Sequence, residues 1–157
     1  MIIMGIDPGV AETGFGVIRT DGDSRSLLIA HGVISTSSTT VHGNRLKQIY
    51  DRVMELIDEH HPDVLAVESL FHSRNLKSLV DVSEAIGVIT LAAAERNLPL
   101  EKFTPLKVKS SVVGVGKAHK NQVRLMIMNE LALSDPPRSL HASDALAVAV
   151  CYRNLFL

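Results

Sequence analysis

The chain contains a single cysteine, Cys151, so no internal disulfide can brace it. It has no tryptophan, and aromatic residues make up only 4%, so a phenylalanine outside the core would stand out. No apolar stretch approaches the ~20 residues that a membrane-spanning helix needs. The opening Met1-Ile2-Ile3-Met4-Gly5 carries no basic leader and runs straight into Asp7, a pattern unlike a secretory signal. The expectation is a soluble, cytoplasmic protein. A formal net charge of −1 gives no overall cation excess to advertise a nucleic-acid ligand. What is present is ordinary for a globular chain: 157 residues, 46% hydrophobic and 21% charged, which exclude disorder and suit one domain over residues 1–157.

Charge distribution says more than its sum. Between Lys102 and Asn129 stand Lys102, Lys107, Lys109, Lys117, Lys120 and Arg124, with no Asp or Glu among them. They surround Gly114-Val115-Gly116, where a bare backbone can approach a ligand. A solvated face is the plain reading of such a run; a phosphate-contacting patch is the reading its glycines favour.

Residues 2–6 read as a buried strand ended by Asp7-Pro8-Gly9. Residues 13–20 and 26–36, joined through Asp21-Gly22-Asp23, continue it as an antiparallel meander. Leu46, Ile49, Tyr50, Val53, Leu56 and Ile57 recur at helical spacing, and Pro62 ends that helix. Val64-Leu65-Ala66-Val67 is a second buried strand, closed by Glu68. A long helix over 75–96, a short strand near Leu98–Phe103, and helices near 105–112, 118–132 and 139–154 follow. The sum is an α/β domain, a mixed five-stranded sheet flanked by helices.

The acids fall at telling places on this map. Asp7 and Glu68 each end an apolar strand, where carboxylates are uncommon. Ligands gather at the carboxyl ends of strands in such sheets, so the two can share a crevice. His141 and Asp144 stand at i and i+3 of the last helix, on one face. Such a cluster suits divalent cations held by carboxylates beside a substrate phosphate. Singly, each residue has a plainer reading: Asp7 as a turn former, Glu68 as a helix cap, Asp144 as a lysine's partner, His141 as a helix-start residue. Cys151 reads as a small core residue.

These residues resemble the RuvC family of Holliday-junction resolvases. Gly5-Ile6-Asp7-Pro8-Gly9 with Thr13-Gly14-Phe15-Gly16 is similar to the family's first strand and hairpin, and Ala66-Val67-Glu68-Ser69-Leu70-Phe71 to its second acidic motif. Val108-Lys109, Val112-Val113-Gly114-Val115-Gly116 and Lys120-Asn121-Gln122-Val123 match its basic segment, and Ala142-Ser143-Asp144-Ala145-Leu146-Ala147 its acidic helix. The four blocks come in order and span nearly the whole chain. The resemblance implies a ribonuclease-H-like fold and a homodimer that nicks two opposed strands of a four-way DNA junction, using Mg²⁺ or Mn²⁺, two ions per site. It implies Asp7, Glu68 and Asp144 as metal-binding acids, and His141 at a position that is Asp or His in the family. An imidazole there favours Mn²⁺ more than a carboxylate would. Lys109 and Lys120 would act near the scissile phosphate, and Phe71 would be a wedge that disturbs base stacking. Arg74, Lys77, Lys107 and Lys117 are further candidate DNA contacts. A branch-migration helicase complex of the RuvA and RuvB type is the implied partner.

The helix over 75–96 is little charged and holds Ala85, Gly87 and Ala92-Ala93-Ala94, small residues that would let two helices approach as a dimer seam. Burial against its own sheet is the alternative. Three other functions compete: a related nuclease acting on structured RNA, a phosphate-binding ATPase of the actin and sugar-kinase type, and a silent binder of branched DNA. The basic block and Phe71 argue against the first. The second needs two such domains, more chain than 157 residues provide.

Overall fold

The computed structural model describes residues 1–21, 26–69, 76–116 and 118–157. Five strands, β1 (Ile2–Asp7), β2 (Glu12–Thr20), β3 (Ser26–Ser35), β4 (Val64–Glu68) and β5 (Leu100–Phe103), form one sheet in the order β3-β2-β1-β4-β5. The first three are an antiparallel meander, whereas β1, β4 and β5 run parallel. Helix α1 (His42–His60) leads from β3 to β4, and α2 (Leu76–Glu95) lies between β4 and β5 in the chain. Helices α3 (Pro105–Val113), α4 (Lys120–Glu130) and α5 (Leu140–Phe156) complete the order.

Each central strand is buried on both faces, which is why β1 and β4 read as unbroken apolar runs. Alternate side chains serve two cores. Met4, Ile6, Phe15, Val17, Leu65 and Val67 pack with Ile49, Val53 and Leu56 of α1 and Ile86 and Ile89 of α2. Ile3, Ile18, Val64 and Ala66 pack with Val108 of α3, Ile127 of α4 and Leu146 and Val150 of α5. Helix α5 is buried along nearly its whole length and carries Ala142, Ala145, Ala147 and Ala149. Cys151 is fully buried in it, the small core residue its neighbours suggested.

The caps explain several boundaries. Helix α3 starts at Thr104, whose side chain accepts from the Lys107 N–H, with Pro105 in the first turn. It stops at Gly114, whose φ of 84° is left-handed backbone that glycine adopts without strain. The structure thus gives Gly114 a helix-terminating reason where the sequence suggested ligand approach. Helix α1 ends at His61 in the same left-handed conformation, directly before Pro62. It begins four residues earlier than Leu46, where its apolar recurrence starts, because polar residues leave no periodic signal.

The small residues of α2 do not form a common outer seam. Ala85, Ala92 and Ala93 are buried in the molecule's own core. Gly87 and Ala94 face outward beside Val80 and Leu91, which are 54% and 52% exposed. Among the described residues, no helix is long and apolar enough to cross a membrane. Gly22 and Asp23 of the expected turn lie outside the described residues.

Candidate active site

The direction of the two strand-end acids follows from alternation. Ile6 and Val67 are register partners and turn toward α1 and α2. The next residue on each strand turns to the opposite face, so Asp7 and Glu68 stand side by side beneath α5. Residues 70–75, between Glu68 and the first described residue of α2, lie outside the described residues.

Helix α5 can cross that face closely because glycines receive it. A Cβ on Gly5 would lie 2.0 Å from the Ala145 carbonyl oxygen, and one on Gly14 would lie 2.0 Å from that of His141. Any side chain there would push the helix off the sheet. Ser139 caps the helix by accepting from the His141 N–H, so His141 stands in its first turn, one residue after Leu140. One turn on, Asp144 shares its face.

The contacts are specific. His141 Nδ1 lies 2.7 Å from Asp7 Oδ2, and Lys120 Nζ donates to Asp144 Oδ2 at 3.1 Å. Lys120 is the first residue of α4, whose N-terminus is closed by reciprocal bonds between His119 and Gln122. Glu68, Asp144, Lys109 and Lys120 line a cavity of about 210 Å³ with Val108, Val123 and Ala147. A wider cleft of about 690 Å³ opens beside His141, lined also by Glu12, Arg45 and Asp81.

Crowding shows in the acid strengths. Burial, with the nearby negative charges of Asp7 and Asp144, pushes the Glu68 carboxyl up to about 8. Burial also raises Asp7, against the hydrogen bond from His141 that lowers it. The hydrogen bond between the two carboxyls raises Glu68 and lowers Asp7, so a proton between them is held on the Glu68 side. The charge of Asp144, followed by its hydrogen bond, keeps the Lys120 ammonium more basic than usual.

Three carboxylates and one imidazole are a donor set for a hard or borderline divalent cation, and the burial and mutual repulsion that raise the two acids are what such an ion would offset. A separate convergence of ligand atoms lies on α1 and α2, where one atom each from His42, Asp81 and Glu84 falls within 4.8 Å of the others.

The structure therefore brings together Asp7, Glu68, Asp144, His141, Lys109 and Lys120. It does not bring Lys107, which lies on another side of α3 and lines a separate hollow with Thr104, Leu106 and Ser110. Lys77 is exposed in the first turn of α2. Phe71, Arg74 and Lys117 lie outside the described residues. Arg124 of the basic run donates to the Pro137 carbonyl. Sequence reasoning passed over Glu12, whose Oε2 lies 3.4 Å from His141 Nε2. Its alternation with Gly14 was the available signal.

The family model for crossover junction endodeoxyribonuclease RuvC matches residues 3–152. A relative of that description from Alkaliphilus metalliredigens is 46% identical over 97% of this chain and 92% of its own. Another, from Natranaerobius thermophilus, is 44% identical over 99% of this chain and 96% of its own. The solved structure of Thermus thermophilus RuvC has a TM-score of 0.92 at 33% identity, covering 98% of this chain and 94% of that one. The same protein in complex with Holliday junction substrate gives 0.93 at 34%, covering 98% and 93%. The expected ribonuclease-H-like fold is thereby established. With matching sequence, fold and order of elements along nearly its full length, this chain belongs to the RuvC family of crossover junction endodeoxyribonucleases.

Proposed function

We propose that this chain resolves four-way DNA junctions by paired hydrolytic nicks in opposed strands, with its active site built from Asp7, Glu68, Asp144 and His141. The observation that carries the reading is the meeting of two strand-end carboxylates with the acid and the imidazole of one helix. A relative solved with Holliday junction substrate supports the choice of DNA.

In this reading the three carboxylates and His141 hold two Mg²⁺ or Mn²⁺ ions. When bound, such ions activate water and stabilise the leaving oxygen of a phosphodiester. The residues supply the rest. Asp7 and Glu68 are fixed by strand pairing, so their spacing costs no rearrangement on binding. Lys109 and Lys120, at the wall of the cavity, bring positive charge to the phosphate oxygens on which negative charge grows. The Lys120–Asp144 pair holds that ammonium at the site. Phe71, in the segment after Glu68, would unstack bases at the junction, with Arg74, Lys77, Lys107 and Lys117 as outlying phosphate contacts.

The reading includes a homodimer, since a junction of near two-fold symmetry calls for two matched sites. The outward apolar residues of α2, Val80 and Leu91 with Gly87 and Ala94 between and beyond them, support this helix as its seam. A branch-migration helicase complex of the RuvA and RuvB type is the partner this activity would serve. The test is cleavage of a synthetic mobile four-way junction beside linear duplex and structured RNA, each with Mg²⁺ or Mn²⁺. Symmetric nicks in the junction alone are expected, and Asp7→Asn should abolish them with junction binding intact. Equal cutting of RNA or linear duplex would favour another nuclease.

A further inference from the structure

His141 stands between two carboxylates. Asp7 Oδ2 lies 2.7 Å from Nδ1, and Glu12 Oε2 lies 3.4 Å from Nε2 on the far edge of the ring. Strand alternation places Glu12 there. Glu12, Gly14 and Gly16 occupy one face of β2, and the two glycines receive α5 at His141 and Leu146. A side chain two residues before Gly14 on that face must therefore rise beside the first turn of α5. The Glu12 side chain is 50% exposed and that of Asp7 only 14%, so the ring has one wet edge and one buried edge.

A neutral imidazole carries hydrogen on one nitrogen and a lone pair on the other. Only the bare nitrogen can hold a metal, and a carboxylate at the second nitrogen fixes both tautomer and ring direction. We propose that Glu12 is a positioning residue for His141. In this structure Nδ1 shares its hydrogen with Asp7; when a cation takes that place, the ring's hydrogen stands on Nε2, where the Glu12 carboxylate 3.4 Å away accepts it and holds the bare Nδ1 toward the acid pocket. This rests on the reading of His141 as a ligand. It adds that a residue outside the four-membered cluster decides which ring atom the cluster receives.

The test measures Mn²⁺ binding by calorimetry, and long-range ¹⁵N–¹H spectra of the His141 ring with Mg²⁺, in the full chain. Wild type should show hydrogen on Nε2 under saturating Mg²⁺. Glu12→Ala should weaken Mn²⁺ binding about tenfold and leave the ring without a single tautomer. Glu12→Gln keeps an accepting oxygen, so it should retain the wild-type tautomer and recover most of the affinity, with thermal melting confirming the fold of both. Wild-type affinity and tautomer in Glu12→Ala would overturn the proposal. His141→Ala separates the two layers: loss of affinity there with none in Glu12→Ala sinks the role of Glu12 alone. Undiminished affinity in His141→Ala sinks the ligand reading and the positioning role with it.

Discussion

Glu68 is a carboxyl whose surroundings resist its charge, and that resistance has a sign. Its acid strength is set near 8 in the fold against 4.5 in an open chain. Between those values the folded state holds a proton that the unfolded state has released, so stability falls as pH rises through the window. The metal-free protein should therefore melt at a higher temperature near pH 5 than near pH 8. Saturating Mg²⁺ should remove most of that slope, because a bound cation favours the ionised form. Calorimetric melting with chelator and with Mg²⁺ across this range checks it; a slope that ignores the metal would separate the acids from ion binding. Glu68→Gln removes the penalty outright. That variant should gain about 1–2 kcal/mol of metal-free stability at pH 8 while losing junction cleavage, the usual opposition between stability and a charged site. Denaturant unfolding and a nicking assay read the two effects separately.

At the level of elements, the site depends on how closely α5 lies on β1 and β2. Gly14→Ala would put a methyl 2.0 Å from the His141 carbonyl oxygen, which belongs to helix backbone and cannot swing aside. The expected result is a loss of about 1–3 kcal/mol from overpacking, with metal affinity lowered as His141 lifts away from Asp7. Wild-type affinity in a folded Gly14→Ala protein would mean that α5 tolerates displacement. This dependence also marks what sequence could show. Asp7 and Glu68 were legible because each interrupts an apolar strand, and His141 and Asp144 because helical spacing pairs them. Glu12 was hidden, since one acid at the mouth of a hairpin looks like any surface glutamate until a helix lands beside it. Lys107 was not separable from Lys109 in the sequence because a run of cations records no direction, and two residues along a helix turn it to another side. The alanines of α2 were ambiguous for a related reason: small residues suit a close neighbour whether it is the molecule's own sheet or a second copy.

For the molecule as a whole, the near-neutral total conceals a local division of charge. Lys109 and Lys120 stand at the wall of an acidic cavity, so in the proposed reading a polyanion meets positive charge there in a small region. Replacing both lysines by alanine should weaken junction binding and flatten its dependence on salt by roughly two counterions, measured by titration at several ionic strengths. Association is tested on the opposite side of the sheet from α5. Leu91→Glu places a charge among the outward residues of α2 without touching the core. It should yield a folded monomer in sedimentation, and a mixture of single nicks where wild type makes pairs. A dimer that survives this change would move the seam elsewhere.

The neighbouring termini of β1 and β4 have one more consequence. Adjacent strands sit about 4.8 Å apart because peptide groups demand it, whatever side chains they carry. The gap between the backbones that bear Asp7 and Glu68 is thus a property of the polypeptide itself, a ruler made of amides. Loops and surfaces can drift far in such a design while the interval stays constant, so divergent sequences can hold two carboxyls at one spacing.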